Sequence, residues 1–233
     1  MMSRLHSYTL RRIIYRIGIV LVSLVVIAAI GLLFVRLFSI DRIEVDGDGV
    51  SIELDKEKLG NNLLLVPADR LTKDLLSAYP LLSSVRFEKR LPGTLGIHLT
   101  KRQPFVLIVT DRGMYVLDKE GVVLDNAASK DGYPVFRFDV GSLSIGSRVV
   151  DTRVSSSLAF LNAMPDASVI SLVREKDSAS ILAIMGNTNI VFPQTGDVRV
   201  KADTLQTIIE GFRIRGTLPA VIDLRFDKPI VTN

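Results

Sequence analysis

The residues that could do chemistry are few and scattered. The 233-residue chain has two histidines and no cysteine, which excludes thiolate nucleophiles and thiolate metal sites. A zinc site needs three or four protein ligands, and His6 and His98 lie on either side of a long apolar run. His98, inside an alternating segment, reads as a strand residue with local partners. The segment Gly141-Ser142-Leu143-Ser144-Ile145-Gly146-Ser147 has two glycines spaced as in a phosphate-binding loop, but the lysine that should follow is missing. It also misses the Gly-x-Ser-x-Gly nucleophile elbow by register. No Ser-x-x-Lys occurs anywhere, which disfavours a penicillin-binding type of serine acyl-enzyme. Acidic pairs such as Asp46 and Asp48, or Glu175 and Asp177, flank turns, where solvated charge is the ordinary reading. No catalytic residue, cofactor site or metal ligand is assigned, and the chain is expected not to be an enzyme.

If function lies in surfaces, the elements that position them matter most, and the first is the stretch from Ile17 to Val35. These 19 residues contain no charge and no proline. As a helix they cover about 28 Å, close to the roughly 30 Å hydrocarbon core of a bilayer. A cleaved signal peptide would have a shorter core and a small-residue cleavage site. Arg4, Arg11, Arg12 and Arg16 precede the span with no acidic residue among them, whereas Asp41, Arg42, Glu44, Asp46 and Asp48 follow it in mixed sign. By the positive-inside rule the N-terminus is cytoplasmic and everything after about residue 40 lies on the far side. Arg36 can snorkel at the exit. Arg11, Arg12 and Arg16 can also contact anionic lipid, although topology alone accounts for them.

Of the 29 basic residues five fall in the first 38 positions, leaving 24 against 25 acidic residues beyond them. The basic character therefore belongs to the anchor, and neither a nucleic-acid surface nor a small-molecule substrate is indicated.

Beyond the membrane, alternation at Ile40, Ile43 and Val45 predicts a short strand, followed by a weak helix over 52–59. Pro67 opens a helix with Leu71 and Leu75 inward, which Pro80 ends. The runs 85–88 and 95–99 predict a hairpin. Two helices against a three-stranded sheet result, in an α+β chain. Residues 105–110, 115–118 and 122–124 read as short strands, 156–164 as a helix with Leu158 and Leu161 inward, and 180–185 with 190–192 as a hairpin about Gly186-Asn187. A helix over 198–215 places Leu205, Ile208, Ile209 and Phe212 on one face. A last strand over 221–226 puts Ile222, Leu224 and Phe226 on one face and Asp223 and Arg225 on the other.

This order, with Leu63-Leu64, Tyr79-Pro80, Leu91-Pro92-Gly93-Thr94-Leu95, Lys101-Arg102-Gln103-Pro104, the string 115–123 (YVLDKEGVV) and the closing Ile-Asp-Leu-Arg-Phe, resembles the FtsQ/DivIB family of bacterial cell-division proteins. The resemblance implies a cytoplasmic tail (1–16), one membrane helix (17–38), a POTRA domain (39–104) and a mostly antiparallel β-domain with flanking helices (105–233). The Tyr133-Pro134-Val135 position departs from the family, which has a Leu-Pro pair leading to a glycine.

The resemblance also implies a single-pass protein of the cell membrane at the division septum. There it acts as a non-enzymatic scaffold that recruits FtsB, paired with FtsL, and helps control septal peptidoglycan synthesis. A terminal strand at a sheet edge is a template for a partner strand. By the family's pattern the docking edge is Asp223, Leu224, Arg225 and Phe226, with Arg225 meeting a partner carboxylate and Phe226 an apolar anchor. Ile230 and Val231 supply apolar contact beyond it. The resemblance implies a further edge on the POTRA domain for other division proteins, at Ile43 and Val45 or at the strand around Leu95 to Leu99. Two alternatives stay open: a secretion or outer-membrane assembly component, since POTRA domains also serve there, and a membrane-anchored envelope enzyme using acidic residues.

Overall fold

The computed structural model describes residues 3–232 except 48, 50, 51, 53–58, 129–131, 165, 167, 168, 214 and 215, with backbone alone at 3–14 and 213. The expected weak helix falls mostly on 53–58, and Asp48, the end of the helix predicted to 215 and the side chains of His6, Arg4, Arg11 and Arg12 likewise lie outside the described residues. The chain divides into two compact units, one of Met1–Ala78 with Ser83–Thr100 and one of Tyr79–Leu82 with Lys101–Asn233.

In the first unit, helix α1 (Ser3–Leu37) carries the apolar stretch. Its described side chains, from Tyr15 on, are exposed on every side. Uniform apolarity of this length gives no polar face to turn to water, as a bilayer-spanning helix requires. A three-stranded sheet follows in the order β1 (Arg42–Asp46), β3 (Thr94–Lys101), β2 (Leu82–Arg90). Strand β1 runs parallel to β3, with Ile43 opposite Leu95 and Val45 opposite Ile97. Central β3 is the core of this sheet, burying Leu95, Ile97 and Leu99, and helix α2 (Ala68–Ala78) buries Leu71 and Leu75 as its periodicity predicts.

Strand alternation puts the charged residues of this sheet on its other face. Arg90 bridges Glu88 at 2.6 Å and Glu44 at 3.1 Å, passing over Gly96, where a Cβ would lie 3.5 Å from its guanidinium. His98 Nε2 stands 3.0 Å from Glu88 and Nδ1 3.4 Å from Asp46, so each ring nitrogen faces a carboxylate from a flanking strand. The bond to Glu88, with a further one to Asp46, raises the His98 imidazole above its ordinary value of 6.5. Arg90 and then His98 pull Glu88 down to about 2. A raised histidine stabilises fully below its unfolded value and the effect fades as pH rises through the folded one. A lowered carboxylate stabilises above its unfolded value of 4.5, and the effect fades as pH falls toward about 2. Both contributions coexist between 4.5 and 6.5. The melting-temperature advantage of the wild type over His98→Gln should therefore peak in that window and shrink toward alkaline pH. An advantage undiminished in alkali would mean that the imidazolium plays no part.

The second unit is built on a nine-stranded sheet in the order β12-β11-β10-β9-β8-β7-β4-β5-β6. Its strands are β4 (Val106–Thr110), β5 (Gly113–Leu117), β6 (Val123–Asn126), β7 (Val135–Arg137), β8 (Leu172–Asp177), β9 (Ser180–Met185), β10 (Thr188–Pro193), β11 (Val221–Asp223) and β12 (Ile230–Thr232). Five of the neighbouring pairs are antiparallel; β4/β7, β7/β8 and β10/β11 are parallel. The 180–192 hairpin forms as predicted, Thr188 opposite Met185.

Helices α3 (Thr152–Ala163) and α4 (Val198–Arg213) lie in this unit, burying Leu158, Leu161 and Leu205 in the core while Ile208 and Ile209 pack against it. Phe160 of α3 stacks on Phe192 of β10 at 4.1 Å between ring centroids. Helix α3 begins earlier than its apolar residues indicate. Asp151 caps it, accepting from Arg153 N at 2.8 Å and Val154 N at 3.3 Å, a signal the apolar period does not contain.

Candidate functional site

The two ends of the nine-stranded sheet are treated differently. At β6 the neighbouring loop lies over the edge: Val123 N donates to Ser147 O at 2.9 Å, Gly146 N to Val123 O at 2.8 Å, and Val122 bridges Arg148. This loop contains the glycine-serine segment 141–147, whose Gly146 and Ser147 pair with the first residue of β6. At the other end β12 pairs antiparallel with β11, Asp223 opposite Ile230 and Val221 opposite Thr232, and among the described residues no strand lies beyond it. Ile230, Val231 and Thr232 are all exposed.

The predicted single strand over 221–226 is corrected here. Strand β11 stops at Asp223, and it is flanked on both sides, parallel by β10 and antiparallel by β12. Ile222 and Leu224 are buried. After Leu224, whose N–H donates to Val191 O at 2.7 Å, the chain turns. The cause is local: Asp223 Oδ1 accepts from Arg225 N at 3.1 Å, an Asx turn that competes with continued strand pairing. Phe226 therefore sits in the connection between β11 and β12, half exposed, and does not share the buried face of Ile222 and Leu224. The outward edge is β12, so Asp223 and Leu224 stand one strand inside it, whereas Ile230 and Val231 are on it.

Arg225 is engaged within the chain. Its Nε and Nη2 donate to both carboxylate oxygens of Asp223, the shortest contact 2.6 Å, and its Nη1 lies 3.8 Å from Asp177. The guanidinium stands 5.6 Å from the Phe226 ring centroid. The Arg225 hydrogen bonds hold the buried Asp223 carboxyl below its ordinary value. Lys201 of α4 donates to Phe226 O at 2.9 Å. The outcome is a braced connection that presents one aromatic ring beside a bare apolar edge strand.

The other residues singled out in the sequence are dispersed. Ile17, Val35 and Arg16 are exposed along α1. Glu175 is paired with Arg153 at 2.8 Å. Among the described residues no group of three or more His, Asp or Glu side chains is placed to hold a metal. One apolar cleft of about 460 Å³ lies near the ends of α3 and α4, lined by Met164, Met185, Ile209, Phe212 and Leu218 with Asp166 and Glu210 at the polar positions.

Two motif residues that carry no reading of their own in the sequence prove connected. Arg102 Nη1 meets the buried Asp118 at 2.5 Å and Glu120 at 3.0 Å, while its Nε donates to Pro80 O at 2.9 Å. Asp118 Oδ1 also accepts from Glu120 N and Val122 N. The Lys-Arg-Gln-Pro string, the Tyr79-Pro80 pair and the string 115–123 are thus joined through one guanidinium, by ion pairs to Asp118 and Glu120 and a hydrogen bond to Pro80 O.

No family model matches the chain. Over 140 residues it is 27% identical to the cell division protein DivIB of Clostridium acetobutylicum, a match covering 57% of this chain and 55% of that protein. It thus spans about half the length of that relative. Over 223 residues it is 28% identical to the cell division protein FtsQ of Corynebacterium glutamicum, covering 90% of this chain and 96% of that protein. These similarities support a place for the chain alongside the FtsQ and DivIB proteins. Both relatives are cell division proteins, which supports a cell-division role. As in the family pattern inferred from sequence, one N-terminal apolar helix leads into a small three-stranded sheet and then a larger, mostly antiparallel one.

Proposed function

We propose that this protein is a non-enzymatic scaffold of the divisome, anchored by α1 with its N-terminus in the cytoplasm. It recruits FtsB, and FtsL with it, by adding a partner strand to β12, and through them helps regulate septal peptidoglycan synthesis. The observation that carries this reading is the asymmetry of the large sheet: one edge strand is paired at its start, at Val122 and Val123, with its own loop, and the other has no strand beyond it among the described residues, with every side chain exposed. An uncovered edge strand presents unpaired N–H and C=O groups that a partner strand satisfies. Phe226 is the apolar anchor beside it. Arg225, already paired with Asp223, braces the connection between β11 and β12 and offers a partner carboxylate only its remaining donors.

The full chain in detergent or nanodiscs, titrated calorimetrically with the extracytoplasmic segments of FtsB and FtsL from the same organism, should bind at micromolar concentration or tighter. No heat and no co-elution at that concentration would overturn the docking reading.

A further inference from the structure

The first residues beyond α1 are tied directly to two turns of the small sheet's unit. Phe38 O accepts from Leu63 N at 2.7 Å, Ile40 N donates to Asn61 O at 3.1 Å, and Ser39 bridges Asn62. From the other side Gly93 O accepts from Asp41 N at 2.8 Å and Arg42 N at 3.1 Å. Gly93, at φ 70°, permits this approach: a Cβ there would stand 2.7 Å from the Asp41 carboxylate and 2.9 Å from Ser39 O. The two turns are the 3-10 turn Leu63–Leu65 and the β2–β3 connection at 91–93.

Each of these turns presents leucine outward. Leu63 is fully buried, but Leu64 is 49% exposed, Leu65 79% and Leu91 64%. The 3-10 turn is held rigidly, with Asn62 Oδ1 accepting from Leu64 N at 2.9 Å and Lys89 Nζ donating to Leu64 O at 2.9 Å. Single exposed leucines are ordinary on a soluble surface. Three of them, on two separate turns hydrogen-bonded to the same five residues at the end of an apolar helix, are not accounted for by the fold.

We propose that Leu64, Leu65 and Leu91 form a lipid-contacting rim that rests in the headgroup–acyl boundary of the bilayer crossed by α1. The inference rests on the anchoring reading of α1. The helix carries no charge from Ile17 to Val35, and Arg36 stands in its last turn, so its end marks the boundary. Phe38 stands one residue, roughly 3.5 Å of chain, past that level, and Leu63 N at the start of the 3-10 turn is a further 2.7 Å hydrogen bond away. Apolar side chains of interfacial segments insert about 5–10 Å into this region. Arg36 at the exit and Arg42 beside Gly93 supply cations for lipid phosphates. The rim would hold the unit against the membrane rather than let it swing from a single linker.

The absence of cysteine makes single-cysteine probes straightforward. The full chain carrying Leu65→Cys, Leu91→Cys, Thr100→Cys or Val22→Cys is labelled with an environment-sensitive NBD fluorophore. It is then placed in nanodiscs of phosphatidylcholine and phosphatidylglycerol. Thr100 is exposed near the far end of β3, about 20 Å along the strand from Thr94. Probes at 65 and 91 should be blue-shifted, quenched by doxyl-labelled lipid, and several-fold less quenched by aqueous iodide than the probe at 100. The probe at 22 should be quenched by lipid alone. Iodide quenching at 65 and 91 equal to that at 100, with 22 still in lipid, overturns the rim while leaving the anchor intact. Shielding from iodide without quenching by doxyl lipid, as a second copy covering the leucines would give, also overturns it. A probe at 22 open to iodide overturns the anchoring reading and the rim together.

Discussion

Introducing aspartate at both Ile230 and Val231 should reduce binding of the FtsB/FtsL segments by two or more orders of magnitude while leaving the melting temperature within a few degrees of wild type. Both side chains are exposed on the outermost strand of the nine-stranded sheet, so charge there costs the free protein little. In a complex formed by strand addition the same side chains become buried. Ile230 is 53% exposed and Val231 38%, so each loses about half of a full side-chain transfer, roughly 1 kcal/mol, and adds the desolvation of a carboxylate, at least about 1–3 kcal/mol. At 1.4 kcal/mol per tenfold the pair exceeds a hundredfold. Phe226→Ala, which removes a half-exposed ring from the adjacent connection, should give a smaller loss. Calorimetry of both variants against the same segments, with circular-dichroism melts alongside, distinguishes the edge from the ring. Undiminished binding by the double aspartate variant would remove β12 from the interface.

The largest stability effect is expected at Asp118. Its carboxylate is buried, takes the Arg102 guanidinium at 2.5 Å and accepts two backbone N–H groups of the turn before β6. Asp118→Ala leaves a largely buried guanidinium with only Glu120 and the Pro80 carbonyl, and orphans two amides. Breaking one partner of such a pair costs about 3–5 kcal/mol. Replacing both, as Arg102→Leu with Asp118→Leu, should recover part of the loss, because no uncompensated charge then remains. Denaturant unfolding of the single and double variants measures both quantities. A single variant as stable as wild type would show that the ion pair is incidental.

The sequence made the regular elements legible where a local period or a turn residue specifies them. The apolar run of α1, the inward leucines of α2 and the hairpin about Gly186-Asn187 each follow from residues within a few positions of one another. The end of β11 was not legible because two local rules conflict. The alternation of Ile222, Leu224 and Phe226 favours a six-residue strand, and the Asx turn from Asp223 to Arg225 overrides it. That one hydrogen bond decides which residues lie on the exposed edge. The sheet order was also hidden, since β4 lies between β5 and β7 through parallel pairing across the two intervening strands β5 and β6, information that no window of sequence contains. Asp118 carries no local signal that sets it apart within the string 115–123, and its partner sixteen residues upstream is recognisable only in three dimensions.

The parallel pairing of β11 with β10 has a kinetic consequence. Those two strands are joined through α4, so β11 can dock only after the β8–β10 part of the sheet exists, and β12 can pair only after β11. Non-local pairings of this kind form late, since the loop-closure entropy must be met before the contacts reward it. These strands also leave the ribosome after the rest of the sheet. The edge offered to a partner therefore exists only once β10 and β11 have paired: a chain in which that pairing fails has no docking strand on the large sheet to display, and partner capture doubles as an inspection of that part of the fold.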